Sequence, residues 1–143
     1  MNVQIKRISK EIPLPEYKTA GAAACDLAAR EEVTIEPGKV GLVPLNVAIK
    51  LPPGHWGLMA PRSSLPKRGV MMANNVGIFD EDFCGDSDEY KTYLFNFSDT
   101  PVTITKGERI LQLMILPREL ITFTEVESLG TTARGGFGTT GTH

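Results

Sequence analysis

VGLVPLNVAIKLPPG, residues 40–54, decides the fold. Its Val, Leu and Ile runs are short, are interrupted by Pro44 and Asn46, and end in a Pro-Pro-Gly turn, so the stretch reads as strands and turns. The same grammar recurs in both directions: VQIKRI and EVTIEPG before it; HWGLMAP, YKTYLFNFSD, PVTITKG, RILQLMILP and ITFTEVES after it. In PVTITKG, Val102 and Ile104 alternate with Thr103 and Thr105, the period of a half-buried edge strand. Helical patterning is scarce. One short helix is expected at Ser63–Lys67, opened by PRSS and capped by Ser63 or Ser64. The predicted fold is all-β, a sandwich or small jelly-roll-like barrel.

At 143 residues the chain reads as one domain with room for a core. The body is expected over 1–128. From 129 to 143, LGTTARGGFGTTGTH has too little apolar surface to anchor itself and reads as a flexible glycine-rich arm. A net charge of −2 argues against broad nucleic-acid binding through a basic face, while leaving room for a small anion held by focused arginines. Cys25 and Cys84 match no metal spacing and read as reduced thiols. No early apolar run resembles a signal peptide and no stretch reaches membrane-spanning length; a soluble, cytoplasmic protein is the expectation.

Chemistry concentrates in five places. In NNVGIFDEDFCG, residues 74–85, Phe79 and Phe83 bracket an acidic run. Asp80 and Asp82 would share one strand face with Glu81 on the other. This fits a pocket that grips a ring and activates a water, and equally a solvated turn. In PRSSL, Arg62 and two hydroxyls at a helix start fit a phosphate grip or a capped surface turn. In GERILQLMI, Gln112 is the polar residue between Leu111 and Leu113, so it faces outward or lines a polar cavity. In AAACDLAA, Asp26 lies in a small apolar run and needs a cation, donors or a metal-bound water, unless it caps its own backbone. In the arm, Gly135, Gly136, Gly138 and Gly141 let the backbone approach an anion, Arg134 adds a phosphate-fitting fork, and Phe137 makes sense stacked on a flat ring.

Taken in order, AAACDLAA, PRSSL, NVGIFDEDFCG, GERILQLMI and ARGGFGTTG resemble the five motifs of the trimeric dUTP pyrophosphatases, over residues ~20 to 141. The resemblance implies a jelly-roll-like subunit in a homotrimer with shared active sites, hydrolysing dUTP to dUMP and pyrophosphate with Mg²⁺ on the triphosphate. It implies that Asp80 activates the water and Gln112 lies near the phosphates and that water. Arg62, Ser63 and Ser64 would contact the triphosphate, and Asn74 with the Gly77 backbone would read uracil. Phe83 would pack on deoxyribose, Asp26 would reach the metal through water, and Phe137, Gly138 and Thr139 would close over base and γ-phosphate.

The motifs also depart from the family pattern. Cys25 and Ala24 stand where Tyr and Gly are common, Phe83 where Tyr is usual, and DSDEYKTYLF is a few residues longer than in many members. Arg134 sits about two residues later than the usual arginine. Two alternatives remain at this level: a dCTP deaminase or bifunctional deaminase, with Glu89 the nearby acid, and a non-catalytic nucleotide-binding module.

Overall fold

The computed structural model describes residues 1–136. It carries eleven strands: β1 (Gln4–Arg7), β2 (Cys25–Ala28), β3 (Val33–Ile35), β4 (Val40–Pro44), β5 (Val47–Lys50), β6 (His55–Pro61), β7 (Val70–Met72), β8 (Gly77–Phe79), β9 (Lys91–Asn96), β10 (Val102–Ile104) and β11 (Arg109–Pro117). The opening stretch becomes β4 and β5, parted by Asn46. Asn46 sits at φ 68°, a left-handed turn that Asn tolerates. Its side chain is not idle: Oδ1 accepts from Ser9 N–H (2.6 Å) and Nδ2 donates to Ser9 O (3.1 Å), tying down the N-terminal segment.

The strands pair antiparallel in four sheets, ordered β2-β11-β6-β8, β4-β9-β7, β1-β5 and β10-β3. The hydrogen-bond ladder does not close into a continuous barrel; the jelly-roll-like packing comes from the sheets facing one core. That core is a single cluster drawn from most strands, including Leu27, Val43, Val47, Met59, Tyr90, Leu94, Ile104, Leu111 and Leu113. Burying such side chains contributes roughly 1.5–3 kcal/mol each before entropy is subtracted. Buried polar groups are mostly satisfied: Asn96 Nδ2 donates to Ile35 O and Thr100 O (2.8 Å each) while its Oδ1 accepts from Ser98 N–H and Oγ–H.

Three expectations need correction. The helix is a single 3-10 turn at Leu65–Arg68, and neither serine caps it through its side chain. The sequence reason lies in Pro66 at the start and Gly69 at φ 78° closing the turn, which leave room for no second turn. The 74–85 segment does not carry its acids on a strand. A turn over 73–76 crosses from β7, whose partner is β9, to β8, an edge strand on β6. β8 stops at Phe79, so Asp80, Glu81 and Asp82 occupy the following turn rather than one strand's two faces. Finally, ITFTEVES forms no strand. Residues 118–136 carry no regular secondary structure, and Leu120, Ile121 and Phe123 are exposed. Period-2 alternation supplies a strand's faces but not its partner, and none of the described strands pairs with this segment.

Candidate functional site

Two separate hollows hold part of the predicted set: Asp26, Arg62, Ser63 and Gln112 in one and Asp80 in the other, while Phe83 borders a third beside Tyr93 and Lys91. The first sits on the outward face of the β2-β11-β6 sheet. Leu111 and Leu113 point into the core, so alternation turns Gln112 outward, directly opposite Asp26 on β2 and Ala60 on β6. Arg62 follows β6 immediately. Together with Ser63, Lys18 and Ala22–Ala24, these residues line a cavity of about 320 Å³.

A β-bulge shapes this hollow. The β11–β2 register slips between Arg109 and Leu111, which puts Arg109 on the same face as Asp26. Arg62 is tied to this end of β11: its N–H donates to Ile110 O (3.2 Å), and its Nη1 donates to Arg109 O (3.0 Å). Its Nε lies 3.2 Å from Asp26 Oδ1, while Arg109 Nη1 donates to Asp26 Oδ2 at 2.9 Å. Asp26 is thus a carboxylate between two guanidiniums, its side chain only 12% exposed, which answers the requirement for a cationic partner. Gln112 Nε2 donates to Pro61 O (3.0 Å), leaving its carbonyl oxygen toward the hollow. Ser63 and Ser64 are exposed at the rim. Beside Asp26, the Cys25 thiol is pushed up by burial and donates to Leu113 O, a packed and unreactive group. Both cysteines are free.

The second hollow, of about 570 Å³, is lined by Asp80, Glu81, Asp82, Cys84, Lys50, Leu51, Pro53 and Arg118. Asp80 is exposed there. Glu81, by contrast, anchors the loop: its Oε2 accepts from Gly54 N–H and from Arg118 Nη2, each 2.9 Å. Phe79, Phe83 and Tyr90 pack together behind the loop. Asn74 is exposed in the turn before β8, where Asn75 adopts φ 63°. Gly77 is buried against Met59: a Cβ there would come within 2.9 Å of Met59 Cε and 3.3 Å of its Cβ.

The two hollows share no lining residue. The β6–β8 register ends with Phe79 opposite Gly57, one residue before Asp80, while Arg62 follows Pro61 at the far end of β6; at strand rise the two lie roughly 15–20 Å apart. Ile78, 65% exposed, lies with Leu58 and Met114 on the outward face between them. Arg134 is exposed, in neither hollow. Phe137, Gly138 and Thr139 lie outside the described residues. Glu89 is in neither hollow's lining: it is buried, pairs with Arg30 Nε (2.7 Å) and accepts from Asn46 N–H (2.9 Å). Glu89, the nearby acid of the deaminase alternative, thus serves as a buried brace between Arg30 and Asn46. Sequence reasoning missed Arg109 and Lys18. Only the bulge brings Arg109 to Asp26, and a single-residue slip leaves no periodic trace.

A profile of the dUTPase family matches residues 10–142. Deoxyuridine 5'-triphosphate nucleotidohydrolases from Anaeromyxobacter sp. (strain Fw109-5) and Corynebacterium diphtheriae are 43% and 46% identical, over 99% and 97% of this chain and 98% and 92% of theirs. Among solved structures, the dUTPase from Streptococcus mutans is 29% identical with a TM-score of 0.76, covering 83% of this chain and 98% of its own. The Staphylococcus bacteriophage 80alpha dUTPase with dUPNHPP superposes at a TM-score of 0.85 over 98% of both chains; at 24% identity it speaks for the fold alone. The chain belongs to the dUTPase family.

Proposed function

We propose that this chain hydrolyses dUTP to dUMP and pyrophosphate, acting as a dUTP diphosphatase at sites shared between copies in a homotrimer. One observation carries the shared site. Asp80 and Arg62 are both suited to one phosphoryl-transfer centre, yet they stand roughly 15–20 Å apart along β6 in one chain, far beyond hydrogen-bond reach of a single phosphorus. A neighbouring copy that lays its Asp80 loop over the Arg62 hollow completes the site, and the exposed apolar band at Ile78 gives that copy a surface to cover.

In the completed site, Asp80 accepts a hydrogen bond from a water in line with the α-phosphorus and takes its proton as the water's oxygen bonds to phosphorus. The bridging α–β oxygen leaves with pyrophosphate. Arg62, with Ser63 and Ser64, holds phosphoryl oxygens; its guanidinium is already oriented by Asp26 and the Arg109 carbonyl, so little ordering remains to be done on binding. Gln112 offers its free carbonyl oxygen to the water. Asn74 and the backbone at Gly77 read uracil, Phe83 packs on deoxyribose, and the arm bearing Arg134, Phe137, Gly138 and Thr139 closes over the bound nucleotide.

Among the described residues no three His, Cys, Asp or Glu side chains gather as a metal cage. Asp26, the carboxylate beside Arg62 and Gln112, is the residue that would reach a Mg²⁺ on the triphosphate through water. Mg²⁺ supplies charge neutralisation on the phosphoryl oxygens.

The decisive measurement is pyrophosphate release from dUTP, dCTP, dTTP and UTP in Mg²⁺, with ammonia followed in parallel. dUTP alone should turn over. Tight dUTP binding without turnover would instead make the chain a nucleotide-binding module.

A further inference from the structure

Tyr90 belongs to no motif, yet it is the largest fully buried side chain in the molecule's described part. Its backbone is clamped on both sides: its N–H donates to Val47 O (2.8 Å) and its carbonyl accepts from Leu45 N–H (2.9 Å). The preceding residue, Glu89, is fixed by Arg30 and Asn46. The ring is therefore held by the core and not by the loop beside it.

That ring lies parallel to Phe79, with centroids 3.6 Å apart and planes 2° from parallel. Phe83 packs against both, at 6.1 Å from each centroid. Phe79 and Phe83 are the two residues that flank Asp80–Asp82. Phe83 is 37% exposed and has no polar side-chain atom, so only ring contacts orient it. Meanwhile the Tyr90 hydroxyl is buried without a hydrogen-bond partner. A leucine would fill much of the space without that unmet donor, but it has no flat face to offer.

We infer that Tyr90 is a specificity-positioning residue: its ring, stacked on Phe79, holds Phe83, proposed above to pack on deoxyribose, so close to the sugar that a ribose 2′-hydroxyl would meet its ring. The inference rests on the proposed dUTP hydrolysis and deepens it. With the rigid floor gone, Phe83 gains rotamers, and some of them open the space that UTP requires.

The test measures kcat and KM on dUTP and UTP for the wild type, Tyr90→Leu, Phe79→Leu and Tyr90→Phe, with a thermal melt of each. Tyr90→Leu and Phe79→Leu should raise kcat/KM for UTP relative to dUTP about tenfold, through a lower KM for UTP. Tyr90→Phe should keep the wild-type ratio and melt at the same or a higher temperature, because it keeps the ring and removes the orphan hydroxyl. An unchanged ratio in a folded leucine variant overturns the inference; Phe79→Leu, at a half-buried site, decides the matter if Tyr90→Leu does not fold. A ratio lost in Tyr90→Phe overturns it as well, since the hydroxyl would then be what matters. A wild type inert toward dUTP sinks the functional reading and this inference together, whereas an active wild type with indifferent variants sinks the Tyr90 role alone.

Discussion

Asp26 and Asp80 are both carboxylates in a candidate phosphoryl-transfer site, and the fold treats them in opposite ways. Asp26 sits on β2, an edge strand held by β11, between Arg62 and Arg109, nearly buried and fully paired. Asp80 sits just past an edge strand, exposed, with no ion pair among the described residues, while its neighbour Glu81 takes the anchoring contacts. Both Asp26 oxygens are already occupied by guanidinium donors. A free carboxylate on an anchored loop is available to a water. The contrast teaches that one chain keeps a carboxylate that holds charge apart from one left free, and on the proposed mechanism a second copy would bring the two together.

Asp80→Asn bears hardest on this contrast. It should lower kcat by about 10²–10⁴-fold, the usual worth of a general base. Calorimetric dUTP binding and the melting temperature should change little, since the side chain is exposed; near wild-type turnover would remove Asp80 from its role. Mixing Asp80→Asn with Arg62→Ala subunits sharpens the point. Two inactive proteins refolded together should regain activity if each site draws on two chains; a mixture that stays inactive would place the site within one. Arg62→Ala by itself should cost about 3 kcal/mol of transition-state stabilisation, roughly a hundredfold in kcat/KM. Asp26→Asn is expected to be milder on rate. It should destabilise by about 1 kcal/mol in denaturant melts, because two partly exposed guanidiniums lose a shared counterion.

The smallest effect is alkaline. Burial, and after it the proximity of Cys84, push the Tyr90 phenol above its ordinary ionisation. The folded value is raised, so the associated stability is complete below about pH 10 and is lost as pH rises through the folded value. The melting temperature of Tyr90→Phe should therefore fall less steeply above that pH than that of the wild type. Parallel curves would show that the phenol does not ionise differently in the two states.

Much of the body was legible in the sequence because strand signals are local. Val102-Thr103-Ile104 and Leu111-Gln112-Leu113 announce both their conformation and their inward face, and the face of Gln112 followed from alternation alone. Legibility failed where a partner was needed. ITFTEVES alternates as well as PVTITKG does, but no strand lies beside it. Ser63 and Ser64 look like caps, but Pro66 and Gly69 limit the turn they would cap. Asp80 and Asp82 were read as strand-mates because the end of β8 depends on where β6 releases it.

By itself the sequence determined the residue types of the site, their order along the chain and the all-β class, since side-chain chemistry and period-2 patterning are properties of neighbours in the chain. Only the tertiary structure decided that Arg109 shares Asp26 with Arg62, that Glu89 is a buried brace, that Tyr90 is the floor beneath Phe83, and that Asp80 stands far from Arg62. Those facts depend on register, a one-residue bulge and the packing of sheets, which are set by contacts between residues tens of positions apart and leave no mark on any short stretch of sequence.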